Sequence, residues 1–546
     1  MHMRKNKILT ILLALLAGAV LACSAGAAGL DGSQVRAVVV YSEDANPDRM
    51  AHYFERMRDV DFLWRYDQLF SGAAVEASPE TLEVLETLEG VEKVALARSY
   101  TEPQRTTSSN PTQTDNGAAL MGLDKLWEQG YNGDGMVIAV LDSGLRTTHE
   151  AFFDYGLAKS PALSQKDIEA FLSKGGTQGV YLSERIPFAY DYSEGDGDVY
   201  SADNHGTHVA ALAAGYVPGF FDDNAIFQGA APAAQILSMK VFPDGFGGGA
   251  DDAVILRALE DAWNLGADVV NLSLGISNGF TQDDVLDGIY CRAFSQMRES
   301  GVIICCAAGN GGIVSTNKTW GESLPTSSYP DYGGLYSPST YLGSLSIVSA
   351  ELGEGGSPAV ADYSSMGTTS DLRLTPALTA IGGPTVSAGS REDNYYYEEQ
   401  GTSMASGTAA GSFAVVLQAL RERGISNKQE RADLAESLMA STAQILAGQD
   451  NTPSSPRRQG AGLMNPAAAV SSDLLVTPPL LELGASAEGQ FTLSFTLRNL
   501  SNRAMTAQLD TVVLTDAYKE SDGATFSLLS SMDISSRVTV EGGGSV

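Results

Sequence analysis

Between about Leu120 and Val470 the chain repeats one pattern, in which short, almost wholly apolar runs alternate with helical stretches. The runs are MVIAVLD, QILSMKVF, DVVNLSL, VIICCAAG and SLSIVSA. A strand wetted on one face alternates apolar with polar residues, whereas runs this uniformly apolar must be covered on both faces. The fold class that follows is α/β: a parallel sheet with helices packed on either side. Such sheets bind ligands in the crevice outside the carboxyl ends of their strands, so reactive residues should be sought there.

The flanking segments read differently. Residues 1–28 place Arg4, Lys5 and Lys7 ahead of an apolar run from Ile8 to Ala22, followed by small residues. This is the pattern of a secretory signal peptide, cut among Ala25 to Gly29. The run is shorter than the roughly 20 residues that cross a bilayer, and no later segment is long and apolar enough, so the mature chain is expected to have no transmembrane span. Val20-Leu21-Ala22-Cys23 loosely matches a bacterial lipoprotein box in which Leu21 fits poorly. Anchoring through a lipid on Cys23 is therefore secondary to plain secretion or display at the cell surface.

Residues 30–100 give a strand (VRAVVVY), a helix (MAHYFERMRDV), a second helix (PETLEVLETLEG) and a strand (EKVALAR), a small α+β unit. Residues 101–116 have the polar composition of an exposed linker. The sheet domain is assigned to 117–471. From 474 to 546, QFTLSFTLRNL, TAQLDTVVLTD and SRVTV alternate like antiparallel strands. They are too few for a sandwich of about seven strands and read as the start of a truncated β domain.

With 34 Lys and Arg against 66 Asp and Glu, the net charge of -32 repels a phosphate backbone, so nucleic acid is excluded as a partner. Beyond Cys23 only Cys291, Cys305 and Cys306 remain, an odd number with no disulfide framework, and they are expected to pack as small hydrophobes.

Three fragments carry the chemistry. Asp142 ends the strand MVIAVLD, His205 opens a helix in NHGTHVAALAAG, and Ser403 opens another in GTSMASGTAAG. A hydroxyl is a poor nucleophile until an imidazole takes its proton, and the imidazole needs a carboxylate to fix its tautomer. Each group stands at a strand end or helix start, so the fold can gather them on one sheet edge. Asn310, after IICCAAG, is the side-chain donor for an oxyanion, with the backbone N–H of Ser403 as the second. Of the five histidines, His2 and His52 fall outside the sheet domain, His149 reads as a loop residue, and His208 as structural. Asp203 reads as a solvated loop charge. Gly275-Ile276-Ser277-Asn278-Gly279 fits a lipase-type nucleophile elbow, but that fold needs its His after the Ser, and none follows His208.

The segments VLDSG, HGTHVA, AAGN and GTSMAS, in this order, resemble the signatures of the subtilisin-like serine proteases, the subtilase family. The insertion ending in SERIPFAYDYSEGDGD and the run from APAAQILSMKVF to VVNLSLG are similar to the lactocepin and C5a-peptidase group of bacterial cell-envelope proteinases. The resemblance implies a secreted serine endopeptidase acting on proteins or peptides through an acyl-enzyme. It implies that residues 30–100 are an inhibitory propeptide removed by self-processing, and that the C-terminal β segment is fibronectin-like. It further implies that Ser273, Leu274 and Gly275 pair with an extended substrate strand, and that Ala308 and Gly309 line the pocket before the cut. No cofactor is required for the chemistry. A structural calcium is compatible with Asp222, Asp223, Asn224, Asp244, Asp251 and Asp252, but a solvated acidic surface is the preferred account and no metal ligands are assigned.

Three features depart from the family pattern. Gly407 and Thr408 follow GTSMAS where the family has Pro and His, Ala380-Ile381-Gly382 lacks the usual Pro, and 311–400 is too short for the domain that the group inserts there. From another function class, an inactive subtilisin-like scaffold that binds peptides is the alternative.

Overall fold

The structure, a computed structural model, describes residues 34–102, 106–108, 117–175, 177–219, 226–245, 248–276, 285–312, 334–352, 356–447, 452–482, 492–519 and 524–546. The expected signal peptide and Cys23 lie outside them. The described chain divides into two compact units, one up to Ser99 together with Asp251–Ala253, the other from Tyr100 to Ala250 and from Val254 to Val546.

The first unit is an antiparallel sheet of β1 (Val35–Tyr41), β2 (Val60–Tyr66), β3 (Gly72–Ala77) and β4 (Val91–Leu96) in the order β2-β3-β1-β4. Helices α1 (Pro47–Phe54) and α2 (Pro79–Leu85) start with Pro behind Asn46 and Ser78, whose side chains accept backbone N–H groups of the first turn. Val39, Phe54, Val75 and Leu85 form part of its core. The helix expected over MAHYFERMRDV ends at Phe54, and the chain re-enters the sheet as β2. Val60, Phe62, Trp64 and Tyr66 recur at every second residue, a strand period that the helical reading ran into.

The second unit is built on an eight-stranded sheet. Its strands are β5 (Val137–Asp142), β6 (Phe188–Asp191), β7 (Gln235–Lys240), β8 (Val269–Leu272), β9 (Ile303–Ala307), β10 (Leu345–Leu352), β11 (Pro358–Val360) and β12 (Leu378–Gly383). They run in the order β11-β10-β9-β8-β5-β7-β6, with β12 also paired to β10, and every pairing but that of β11 is parallel. This is the buried parallel sheet that the apolar runs require. From β5 the chain reaches β7 on one side, then returns to β8 on the other, which opens a crevice at the carboxyl ends of β5 and β8.

Helices α3 (His205–Ala214), α4 (Val285–Glu299) and α5 (Thr402–Glu422) pack against the sheet, and α6 (Lys428–Ser441) packs on α5. Among the described residues only α5 is long and apolar enough to cross a membrane, and it is wholly buried in the unit. It packs on α3 through glycines: a Cβ on Gly411 would lie 2.3 Å from the carbonyl oxygen of Ala213, and one on Gly407 2.9 Å from that of Val209. The glycine standing where the family has Pro thus sits at a backbone contact that a larger residue would force apart.

An antiparallel ribbon of β13 (Thr385–Ala388) and β14 (Tyr396–Gln400) precedes α5, and Thr106–Ser108, inside the segment read as a linker, adds a third strand to it. At the C-terminus β15 (Leu474–Thr477) pairs with β16 (Thr496–Asn499), and β17 (Met505–Lys519) with β18 (Ala524–Val540), all antiparallel.

Replacing Gly411 by Val should destabilise the protein by about 1–3 kcal/mol through overpacking. The thermal unfolding midpoint reads this, and an unchanged midpoint would show that α3 and α5 can separate at no cost.

Candidate active site

Asp142 is the last residue of β5, in the middle of the sheet, and is almost fully buried. Its Oδ1 accepts the N–H of Ser143 at 2.7 Å and lies 2.7 Å from Nδ1 of His205. His205 is the first residue of α3 and wholly buried. Its backbone N–H donates to Oδ1 of Asp203 at 2.8 Å, and that of Gly206 to Oγ of Ser143 at 3.0 Å. Asp203, read from sequence as a solvated charge, therefore secures the helix start that carries His205. Gly206 is required sterically, because a Cβ there would stand 2.2 Å from the carbonyl oxygen of Gly144.

A carboxylate can only accept, so the 2.7 Å contact fixes the imidazole hydrogen on Nδ1 and assigns the lone pair to Nε2. Glu102 adds a second carboxylate, its Oε1 3.7 Å from the same Nδ1. Among the described residues Glu102, Asp142 and His205 are also the group whose ligand atoms lie close enough to hold a metal ion. The short Asp142 to His205 contact accounts for that closeness as a hydrogen bond.

Ser403 is the second residue of α5, which packs directly against α3. Its Oγ is buried and makes no hydrogen bond among the described residues. The structure thus joins Asp142 to His205 by contact and sets Ser403 at the start of the adjoining helix with its hydroxyl uncommitted. The N–H groups of a first helical turn have no partner inside the helix, so that of Ser403 is turned toward the crevice end of α5.

Asn310 follows β9 at the same sheet edge. Its Oδ1 accepts both the backbone N–H and the hydroxyl of Thr402 at 2.9 Å, and the Thr402 hydroxyl accepts the N–H of Gly309 at 3.1 Å. An N–H can only donate, so the amide oxygen must face Thr402 and the NH₂ end lies toward Gly401, where a Cβ would sit 3.1 Å from it. Thr402 was visible in sequence only as a letter of GTSMAS; its part in orienting Asn310 depends on a loop some ninety residues away.

Ser273 braces the nucleophile helix, its buried Oγ donating to the carbonyl of Ser403 at 3.0 Å and accepting from Asn271 at 2.9 Å. Leu274 is buried, and Gly275 exchanges both backbone hydrogen bonds with Thr101, at 3.0 and 2.8 Å, as one antiparallel step. Ala308 is buried with Leu335 and Val348. Gly309 adopts φ +104°, which favours glycine, and a Cβ on it would strike the Tyr336 ring at 2.5 Å.

The remaining polar candidates are committed elsewhere. Asp244 pairs with Lys240 at 2.8 Å, Asp251 with Arg36 at 2.7 Å and Asp252 with Arg98 at 3.1 Å. Asp222, Asp223 and Asn224 lie outside the described residues. His208 packs its ring edge-on against Tyr397, and His52 is exposed. Cys305 and Cys306 are buried in β9, where burial pushes both thiols well above their usual range, and Cys291 is half-buried.

His149, which the sequence left as a loop residue, is fully buried. Its Nδ1 accepts the N–H of Ala151 and its Nε2 faces the carbonyl of Tyr395, each at 3.1 Å, so both nitrogens are satisfied in the neutral form. Burial holds its pKa down at about 4.

The sequence profile of the subtilase family matches residues 133–462, which include Asp142, His205, Asn310 and Ser403. The chain is 29% identical over 294 residues to the PIII-type proteinase of Lactococcus lactis subsp. cremoris (strain SK11), a match covering 52% of this chain and 14% of that protein. It is 32% identical over 255 residues to the C5a peptidase of Streptococcus pyogenes serotype M6, covering 45% of this chain and 21% of that one. The chain therefore spans only a minor part of the length of these relatives.

Two outcomes follow from this geometry. Thr402→Val should leave the fold intact but free the Asn310 amide to rotate, lowering kcat about tenfold with little change in KM; an unaltered kcat would show that Asn310 is held by other means. For His149 the folded pKa lies below the unfolded value of about 6.5, so its contribution is fully present above that value. It is lost as pH falls toward 4, by on the order of 3 kcal/mol. Unfolding midpoints measured from pH 7 to 4 should fall less steeply in His149→Asn than in the wild type, and parallel curves would count against this assignment.

Proposed function

Because the chain belongs to the subtilase family, we propose that it is a serine-type endopeptidase, secreted or held at the cell surface, that cuts extracellular proteins or peptides and is made as a self-processed zymogen. The observation that carries this reading is the 2.7 Å hydrogen bond from His205 Nδ1 to Asp142, with the uncommitted Ser403 hydroxyl at the start of the adjoining helix.

In this reading His205 Nε2 takes the proton of Ser403 as Oγ adds to the scissile carbonyl, and Asp142 steadies the imidazolium that forms. The oxyanion is met by the Asn310 amide and the Ser403 N–H, reinforced by the positive end of α5. His205 then returns the proton to the leaving amine, and water resolves the acyl-enzyme by the same steps in reverse order. Gly275 offers its N–H and C=O to an extended substrate strand, as it does to Thr101. Ser273 and Leu274 lead the chain to it, and Ala308 and Gly309 form the wall beside Asn310. No cofactor enters this chemistry.

The first unit, a four-stranded sheet with two helices ahead of the sheet domain, supports an inhibitory propeptide. The antiparallel strands β15 to β18 support a fibronectin-like extension. Calcium remains a proposal without assigned ligands.

The test is hydrolysis of a peptide library by the wild type, Ser403→Ala and Asn310→Leu. Ser403→Ala should lose turnover and keep its N-terminal unit, and Asn310→Leu should lose about 100- to 1,000-fold in kcat, a range taken from oxyanion-donor losses in enzymes of this family. Hydrolysis by Ser403→Ala at the wild-type rate would end this reading.

A further inference from the structure

At the amino ends of β10 and β12, on the sheet edge opposite Asp142 and His205, the second unit holds a cavity of about 390 Å³. That volume is in the range of small-molecule sites. Leu342, Leu345, Leu374, Leu378, Ala440 and Leu480 give it aliphatic walls.

Four polar groups on its lining are incompletely bonded. The hydroxyls of Ser346 and Thr375 are buried and hydrogen-bond to no described residue, and Ser346 as a whole is 1% exposed. Glu436, in the middle of α6, is buried as well. Its Oε2 meets Nη2 of Arg298 in the last turn of α4, while its Oε1 takes no hydrogen bond among the described residues. Arg298 is partly exposed and gives only that bond, so its Nε and Nη1 are unused among them. Burial raises the Glu436 carboxyl to about 7 in spite of Arg298, so one guanidinium does not compensate for its loss of water. Two other charged groups on the lining are already committed. Arg373 bonds Asp371 at 2.8 Å and the Thr340 carbonyl at 2.6 Å, and Glu482 accepts the N–H of Leu374 at 2.5 Å.

The unused groups come in matched signs: acceptors at Glu436 Oε1 and the two hydroxyl oxygens, donors at Arg298. Water could satisfy the hydroxyls, but aliphatic walls gain only from an apolar occupant. A ligand with a single charge would serve either the carboxylate or the guanidinium, whereas a zwitterion meets both and brings no net charge into a buried place. We propose that this cavity binds a zwitterion with an aliphatic side chain, a leucine-like α-amino acid or dipeptide. Its ammonium lies on Glu436 Oε1 and the Ser346 hydroxyl, its carboxylate on Arg298, and its side chain among the leucines. This second site goes beyond the endopeptidase reading and stands apart from the catalytic edge. Peptide-bond hydrolysis is the reaction class that supplies such ligands.

The experiment is titration calorimetry of the full-length Ser403→Ala protein with leucine, leucyl-leucine, leucinamide and isovalerate. Because binding is read without turnover, a failure here leaves the endopeptidase reading untouched. Leucine or leucyl-leucine should bind saturably at one site, and the tighter of the two identifies the occupant as amino acid or dipeptide. Leucinamide, which lacks the carboxylate, and isovalerate, which lacks the ammonium, should each bind about tenfold more weakly. Glu436→Gln should weaken the zwitterion about tenfold. Ser346→Ala should weaken it about fivefold with an unchanged unfolding midpoint, since the hydroxyl it removes bonds nothing among the described residues. Ala440→Phe fills the cavity, spares every charge and should abolish binding. No saturable binding of either zwitterion to the folded protein, equal affinity for leucinamide or isovalerate, or undiminished binding in Ala440→Phe would overturn the proposal.

Discussion

A buried carboxylate in contact with a buried imidazole organises this molecule. Asp142 and His205 are both withdrawn from water, and neither could stay there without the other: an isolated charge or an unmatched ring nitrogen in such surroundings is costly. The pairing demands that the end of β5 and the first turn of α3 meet, which explains several local features. Gly206 allows the turn to approach Gly144, the Ser143 hydroxyl accepts a helix-start N–H, and Asp203 accepts another. Because α3 is held in this way, the glycine contacts at Gly407 and Gly411 then decide where α5, and so Ser403, can lie.

The second organising element is Thr402. One hydroxyl ties the loop after β9 to the start of α5 by bonding Asn310 and Gly309 together. Donor and nucleophile are thereby referred to the same turn of backbone, the arrangement that electrostatic stabilisation of a developing oxyanion needs if it is not to pay for reorganisation at each turnover. Ser273 repeats the device from the other side by bonding the Ser403 carbonyl from the end of β8. A sheet edge, two helix starts and a few hydroxyl bridges are enough to place the groups.

The parallel sheet was legible because a strand covered on both faces must be apolar throughout, and MVIAVLD or VIICCAAG could be little else. The reactive residues were legible because each sits in a local motif at a strand end or helix start. What escaped depends on partners distant in sequence. Thr106–Ser108 is polar and reads as linker, yet its backbone finds an open strand edge at Glu398–Gln400. His149 has nothing beside it to announce burial; it is enclosed by Tyr395 and Tyr396, about 246 residues on. The strand β2 was hidden for another reason, since its period of two begins within residues already counted as helix.

The account rests on the proton held at His205 Nδ1 by Asp142, which leaves Nε2 to activate Ser403. The rate at which a fluorophosphonate modifies Ser403 at neutral pH, compared between the wild type and Asp142→Asn, measures that arrangement directly. The account predicts a fall of about 10⁴-fold, because an asparagine amide facing Nδ1 can turn the hydrogen onto the wrong nitrogen. Equal rates in the two proteins would contradict it.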